Sequence, residues 1–198
     1  MKRFIGLIAL GVVVAAQNPP LKPGLYATFQ TSSGVITARL FEKEIPIAVS
    51  NFVALAQGTK AWKDAKTGAM VKRPLYENLI FHRVLPGIMI QTGDPTGTGS
   101  HNCGIRIPDE FLPGLRFDRA GRLAVANTGE ADSGGCQFFI TTDSMSQWSG
   151  KYTIFGEVVS GLDVADKISR GKVRGERPVD PAKLIRVTIE RVGSAPKK

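Results

Sequence analysis

The chain has 198 residues, 42% hydrophobic and 22% charged, a length and balance that fit one folded domain with a core needing no staples. Its 26 basic and 17 acidic residues give a formal net charge of +9. No aromatic-interleaved basic stripe or nucleic-acid motif accompanies that surplus, so it reads as a solvated surface, and no nucleic-acid partner is expected.

Lys2 and Arg3 precede an apolar run from Phe4 to Val14 and the small pair Ala15-Ala16. This is the pattern of a signal peptide over residues 1–16, cut before Gln17, with an apolar run too short to span a bilayer comfortably. Without Lys2 and Arg3 the net charge is 24 − 17 = +7. The mature protein is expected to be exported, periplasmic or secreted, with no membrane span after processing. Residues 17–24, QNPPLKPG, are a proline-rich lead-in that stays extended. One domain is expected over residues 25–193, followed by a basic tail at 194–198.

Leu25–Thr31 and Val35–Phe41 flank Ser32-Ser33-Gly34 and read as a hairpin. Ile45-Pro46 opens a helix whose Val49, Phe52, Val53 and Ala56 recur on one face, and Gly58 ends it. Lys60 to Pro74 is a charged loop with Trp62 its only large aromatic. Phe81 to Asp94, FHRVLPGIMIQTGD, reads as two short strands joined by Leu85-Pro86-Gly87, a turn in which proline presets φ and glycine accepts a positive one. Alternation places Phe81 with Arg83 on one face, Met89 with Gln91 on one face of the next strand, and Ile88 with Ile90 on the other. Thr92 to Gly104 is glycine-rich and loop-like. Further strands are predicted at Arg122–Ala126, Gln137–Thr141, Thr153–Val159 and Leu184–Val192, with a second helix at Leu162–Ile168. Serial short strands with two helices and no βα repeat predict a mainly β, antiparallel barrel with helices covering its ends.

The two cysteines, Cys103 and Cys136, leave three readings open: a disulfide, two free thiols, or a metal site with His101. An exporting compartment favours the bridge, which would add roughly 3–4 kcal/mol by closing a loop of about 34 residues. No ligand spacing resembles a zinc motif, so neither metal nor cofactor is expected.

The chemistry is defined first by what is missing. GxSxG, Walker A, HExxH and the dinucleotide fingerprint do not occur. Gly97-Thr98-Gly99 neither follows a hydrophobic parallel strand nor opens a helix, and His82, lacking an evident serine or cysteine partner, reads as a satisfied structural histidine. Rotation of an X-Pro amide, by contrast, needs no bond breaking, no proton transfer and no cofactor. Its barrier of about 18–20 kcal/mol comes from the double-bond character of the amide C–N bond. A site lowers it by seating the proline ring in an apolar pocket, clamping the flanking backbone and aiming a donor at the prolyl nitrogen. Arg83 is a permanently charged, forked donor. Phe139, Met89 and Ile88 suit the pocket, and Gln91 suits orienting Arg83 and bonding a substrate carbonyl. This is transition-state electrostatics without a nucleophile.

On these residues the sequence resembles the cyclophilin-type peptidyl-prolyl cis-trans isomerases. FHRVLPGIMIQTGD resembles the family's signature hairpin. Gly97-Thr98-Gly99, Asp109-Glu110-Phe111, LAVANTG at Leu123–Gly129, SGGCQFFIT at Ser133–Thr141 and GKYTIFGEV at Gly150–Val158 follow in family order. The resemblance covers about Leu25 to Val192 and implies a closed eight-stranded antiparallel barrel capped by two α-helices. It implies Arg83 as the catalytic arginine, with Gln91 and Phe139 beside it. Met89, Phe139 and Ile88 match the proline pocket, and Gln91, Ala126, Asn127 and Gln137 match groove positions that bind peptide backbone or line the neighbouring pocket. The sequence departs from the family at several positions. Ile88 stands where many members have phenylalanine, Tyr152 where many have histidine, Thr128 where alanine is common, and Cys136 where serine or another small residue is usual. Counted back from Gly150 without a gap, the register favoured here, Trp148 falls on the family's pocket leucine; with a one-residue deletion it matches the tryptophan that helps bind cyclosporin. The implied partners are unfolded or flexible proline-containing polypeptides, and cyclosporin-like ligands, bound by a monomer. A proline-peptide binding module or chaperone with little turnover is the alternative that the same groove would serve.

Overall fold

The computed structural model describes residues 20–194, so the expected signal peptide, residues 17–19 of the lead-in and all but Ser194 of the tail lie outside the described residues. The first hairpin pairs β1 (Gly24–Thr31) with β2 (Gly34–Leu40). Its turn is tied by Thr31, whose hydroxyl accepts from the Ser33 amide at 3.1 Å and donates to the Gly34 carbonyl at 2.7 Å. Helix α1 (Pro46–Ala56) begins on proline with no side-chain cap of its own. Its cap comes from far along the chain: the Glu110 carboxylate accepts from the amides of Ile47 at 3.1 Å and Ala48 at 2.8 Å, satisfying orphan donors at the positive end of the helix.

The charged loop is more ordered than its composition suggests. It holds a two-stranded ribbon, β3 (Trp62–Lys63) against β4 (Met70–Val71). Trp62 is 3% exposed and packs in the main core, with Nε1 donating to the Arg73 carbonyl and the Arg73 guanidinium 5.0 Å from its ring centroid. A two-residue strand is too short for alternation to show it.

Next come β5 (Leu79–Ile80), β6 (Arg83–Leu85), β7 (Met89–Thr92), β8 (Arg122–Val125), β9 (Phe138–Thr141), a 3₁₀ turn at Ser146–Trp148 and β10 (Ile154–Ser160). Helix α2 (Leu162–Ser169), the ribbon β11 (Val173–Arg174) with β12 (Arg177–Pro178), and β13 (Lys183–Val192) complete the fold. Gly161 opens α2 at φ +81, where an added Cβ would collide with the Val35 carbonyl, so only glycine fits. No helix among the described residues is long and apolar enough to cross a membrane.

The main sheet is antiparallel and runs β5-β13-β1-β2-β10-β8-β9-β7-β6. Its first and last strands are chain neighbours, separated only by Phe81-His82, so the sheet curls back on itself. The expected mainly β fold with two helices is present. The expected closed ladder of eight strands differs in detail: nine strands are ordered, and no pairing joins β5 to β6 among the described residues. The break falls at Phe81-His82 and also reverses an expectation about faces. Phe81 is 1% exposed in the main core, whereas Arg83 lies on the opposite face, because alternation does not carry across a kink. Inside the curl, Phe52 of α1 meets the rings of Phe29, Tyr76, Phe138 and Phe155 at 5.1–6.1 Å.

Candidate active site

One row of side chains crosses the face of the sheet opposite the main core. The register places Arg83 beside Gln91, Gln91 beside Phe139, Phe139 beside Ala124 and Ala124 beside Ile154. Directly paired residues share a face, so four pairings carry one arginine and one amide to the edge of an apolar strip. Their chain neighbours Val84, Ile90, Phe138, Ile140, Leu123 and Phe155 turn inward to the main core. Met89, Ala124, Phe139 and Ile154 turn the other way and form a second, smaller cluster with Phe117.

Phe117 is fully buried and stacks on Phe139 at 5.9 Å, 15° from parallel. Trp148 and Tyr152 stand nearly perpendicular to the Phe139 ring, at 5.6 and 5.2 Å, the edge-to-face geometry that aromatic quadrupoles favour. The 3₁₀ turn presents Trp148, and the loop carrying it is fastened to Phe117, whose amide donates to Ser149 Oγ at 3.1 Å and whose carbonyl accepts from the Met145 amide at 2.7 Å. The hollow these rings frame, of about 60 Å³, is lined by Arg83, Met89, Gln91, Ala126, Asn127, Phe139, Trp148 and Tyr152.

Polar contacts then fix the rim. Arg83 Nε donates to Glu176 Oε2 at 2.6 Å and Nη1 to Gln91 Oε1 at 3.0 Å, leaving Nη2 without a protein partner among the described residues. Accepting from the arginine fixes the amide of Gln91, whose Nε2 donates to Gln137 Oε1 at 2.9 Å. Gln137 in turn donates from Nε2 to the carbonyls of Gly99 at 2.9 Å and His101 at 3.1 Å. Each amide in the chain has its orientation set by its neighbour.

Gln137 also lines a neighbouring hollow of about 160 Å³, together with Thr128, Cys136, Gly99 and Asn102, and the two hollows share Gln91, Ala126 and Asn127. Asn127 spends its side chain on the loop, donating to the Lys151 carbonyl and accepting from the Gly129 amide. Its main-chain N–H and C=O have no protein partner among the described residues, and Asn127 lines both hollows. An extended peptide could bond there as an added strand.

Below the second hollow, Cys103 and Cys136 are joined as a disulfide with Cα atoms 6.0 Å apart. His101, the third member of the metal alternative, places Nε2 at 2.8 Å from the Lys63 carbonyl instead. The loop over the bridge is organised by Asp94, 1% exposed, which accepts from the Thr96 hydroxyl and amide and the Gly99 amide at 2.7 Å each. Burial alone would raise its pKa, but the hydrogen bonds outweigh it and hold the carboxyl below the usual range. Gly93, at φ +99, lets this segment pass close over the residues leading into β9; a Cβ there would meet the Cys136 carbonyl.

Two sequence readings need correction. Ile88 packs against the smaller cluster, on the side of Met89 and opposite Ile90, and does not line the hollow. It belongs to the turn, where its amide bonds the Leu85 carbonyl at 2.9 Å, so strand alternation does not reach it. His82 is buried, but neither ring nitrogen has a hydrogen-bond partner among the described residues, and burial lowers its pKa. Sequence reasoning missed Phe117, Glu176 and Asp94. Phe117 and Glu176 lie in loops without periodicity, and Asp94 carried no signal beyond its place before a glycine-rich run.

A curled antiparallel sheet bearing an arginine-rimmed hollow floored by Phe139 fits an isomerase of the cyclophilin class. The comparisons agree: residues 26–189 match the family described as cyclophilin type peptidyl-prolyl cis-trans isomerase/CLD, and the chain belongs to that family. It is 42% identical over 175 residues to the probable peptidyl-prolyl cis-trans isomerase A of Mycobacterium bovis, spanning 87% of this chain and 95% of that protein. It is 41% identical over 170 residues to the peptidyl-prolyl cis-trans isomerase B of Streptomyces anulatus, spanning 84% and 97%. The crystal structure of a Cryptosporidium parvum cyclophilin type isomerase superposes with a TM-score of 0.73 at 30% identity, over 85% of this chain and 98% of that one. A second structure of it, in the presence of the dipeptide Ala-Pro, gives 0.72 at 31% identity, over 84% and 99%. The protein is a peptidyl-prolyl cis-trans isomerase.

Proposed function

We propose that this isomerase turns X-Pro bonds in unfolded or flexible segments of exported proteins, and that Arg83 supplies the decisive interaction. The proline ring sits on Phe139 between Met89, Trp148 and Tyr152. The Arg83 Nη2 donor faces the prolyl nitrogen as amide resonance breaks, and the main chain of Asn127 holds the peptide preceding the proline. The transition state has lost C–N double-bond character and gained a nitrogen lone pair, so a fixed cation there binds it better than either ground state. The observation that carries this reading is the guanidinium itself, tethered at Nε and Nη1 and, among the described residues, unpaired at Nη2 at the lip of the hollow. The Cryptosporidium parvum structure determined in the presence of the dipeptide Ala-Pro supports a proline-containing peptide as ligand. Export is supported by the leader-like pattern of residues 1–16 and by the disulfide, a bond that persists in oxidising compartments.

The test is exchange spectroscopy on a proline tetrapeptide with catalytic amounts of protein lacking residues 1–16. The expected result is accelerated cis–trans exchange at saturable peptide concentration. Binding with no change in the exchange rate would identify a proline-peptide holder instead.

A further inference from the structure

We infer that Glu176 is a positioning residue for Arg83, setting the plane of its guanidinium; the inference rests on the proposed role of Arg83. Glu176 lies in the two-residue turn of the β11–β12 ribbon, where Arg174 pairs with Arg177. Gly175 adopts φ +62, the positive angle that the first central residue of a II′ turn requires. The ribbon is docked beside the active site through its backbone: the Val84 amide donates to the Glu176 carbonyl at 2.8 Å. Glu176 is thus fixed next to the residue that follows Arg83, and its carboxylate reaches Nε at 2.6 Å.

An arginine 40% exposed on a sheet surface has many rotamers open to it, and one bond to Gln91 would leave the fork free to swing. Two anchors on different nitrogens, Glu176 at Nε and Gln91 at Nη1, fix both the position and the plane, and leave Nη2 for substrate. Glu176 is the only carboxylate within ion-pair distance of Arg83 among the described residues. The Arg83 hydrogen bond in turn holds the Glu176 carboxyl below the usual range. An ion pair this exposed adds little to folding stability, so its loss should register in catalysis and leave the melting temperature unmoved.

The experiment is a double-mutant cycle on prolyl isomerisation, using wild type, E176A, R83A and the double variant, with E176Q as the conservative control. In E176A, kcat/KM should fall about tenfold, mainly in kcat, as expected for ångström-scale misplacement of a catalytic group. E176Q, which keeps an acceptor for Nε–H, should recover part of the loss. In the R83A background the Glu176 substitution should change nothing further, because residues acting through one another are not additive. Equal activity of E176A and wild type, with R83A impaired, would overturn the positioning role and leave the Arg83 reading intact. The same fractional loss in both backgrounds would also overturn it, by showing that Glu176 acts elsewhere. R83A as active as wild type would overturn the Arg83 reading, and the positioning role with it.

Discussion

Phe139 is where fold and chemistry share a side chain. It is 3% exposed and touches three other rings, so it both builds the smaller cluster and floors the hollow. Phe139→Ala should cost about 3–5 kcal/mol of stability, whereas Phe139→Leu removes much less apolar volume and should cost less. The leucine variant separates the two roles: with folding preserved in thermal melts, its KM for a proline tetrapeptide should still rise, because the flat face is gone. Asp94 is the comparable residue for the loop. Its carboxyl is depressed in the fold, so its stabilisation is present above the unfolded value of about 3.9 and disappears as pH falls through the lower folded one. Asp94→Asn should therefore lower stability at pH 7 by about 1–3 kcal/mol and flatten part of the acid limb in denaturation followed from pH 7 to 2. Gln91, Met89 and Phe139 were legible because strand alternation marks them and the family motifs contain them; Arg83 was legible from its charge and the motif, since alternation paired it wrongly with Phe81. Phe117 and Glu176 were not, since tertiary docking alone brings these loop residues to the hollow.

Among the elements, the loops do most to shape the site, and the disulfide is their main constraint. It ties the glycine-rich segment before Gly104 to the residues leading into β9, across a sequence separation of 33. Reduction should cost about 3–4 kcal/mol by the chain-entropy argument and lower the melting temperature by about 6–16 °C for a chain of this size. Calorimetry with and without reductant checks this, with the Cys103→Ser, Cys136→Ser double variant melting at the reduced value under both conditions. The elements hardest to read in the sequence were the ribbons β3–β4 and β11–β12. Each strand has two residues, which leaves no period to detect, and each ribbon is fixed by contacts made elsewhere: Trp62 in the core, Glu176 on β6. The longer strands and both helices were predictable to within a residue or two because one face of each is buried.

At the scale of the molecule, the sheet works as a ruler. Its register aligns Arg83, Gln91, Phe139, Ala124 and Ile154 from five strands scattered over 72 positions of the chain, from residue 83 to residue 154 counted inclusively. The two faces are kept chemically distinct by alternation alone, with the main core on one and the hollow on the other. Curling was predictable from serial antiparallel strands. The break at Phe81-His82 was not, because an apolar residue followed by histidine reads the same in a straight strand. That break turns Phe81 inward and leaves Arg83 outside, free to meet substrate. The central claim is that this one guanidinium lowers the barrier to rotation, and kcat/KM of wild type against Arg83→Ala on a proline tetrapeptide tests it most directly. Removal of the arginine should reduce kcat/KM by about 10²–10³-fold, the scale of losing a preorganised transition-state donor, with the circular dichroism spectrum and melting temperature unchanged. Equal rates for the two proteins would contradict the account.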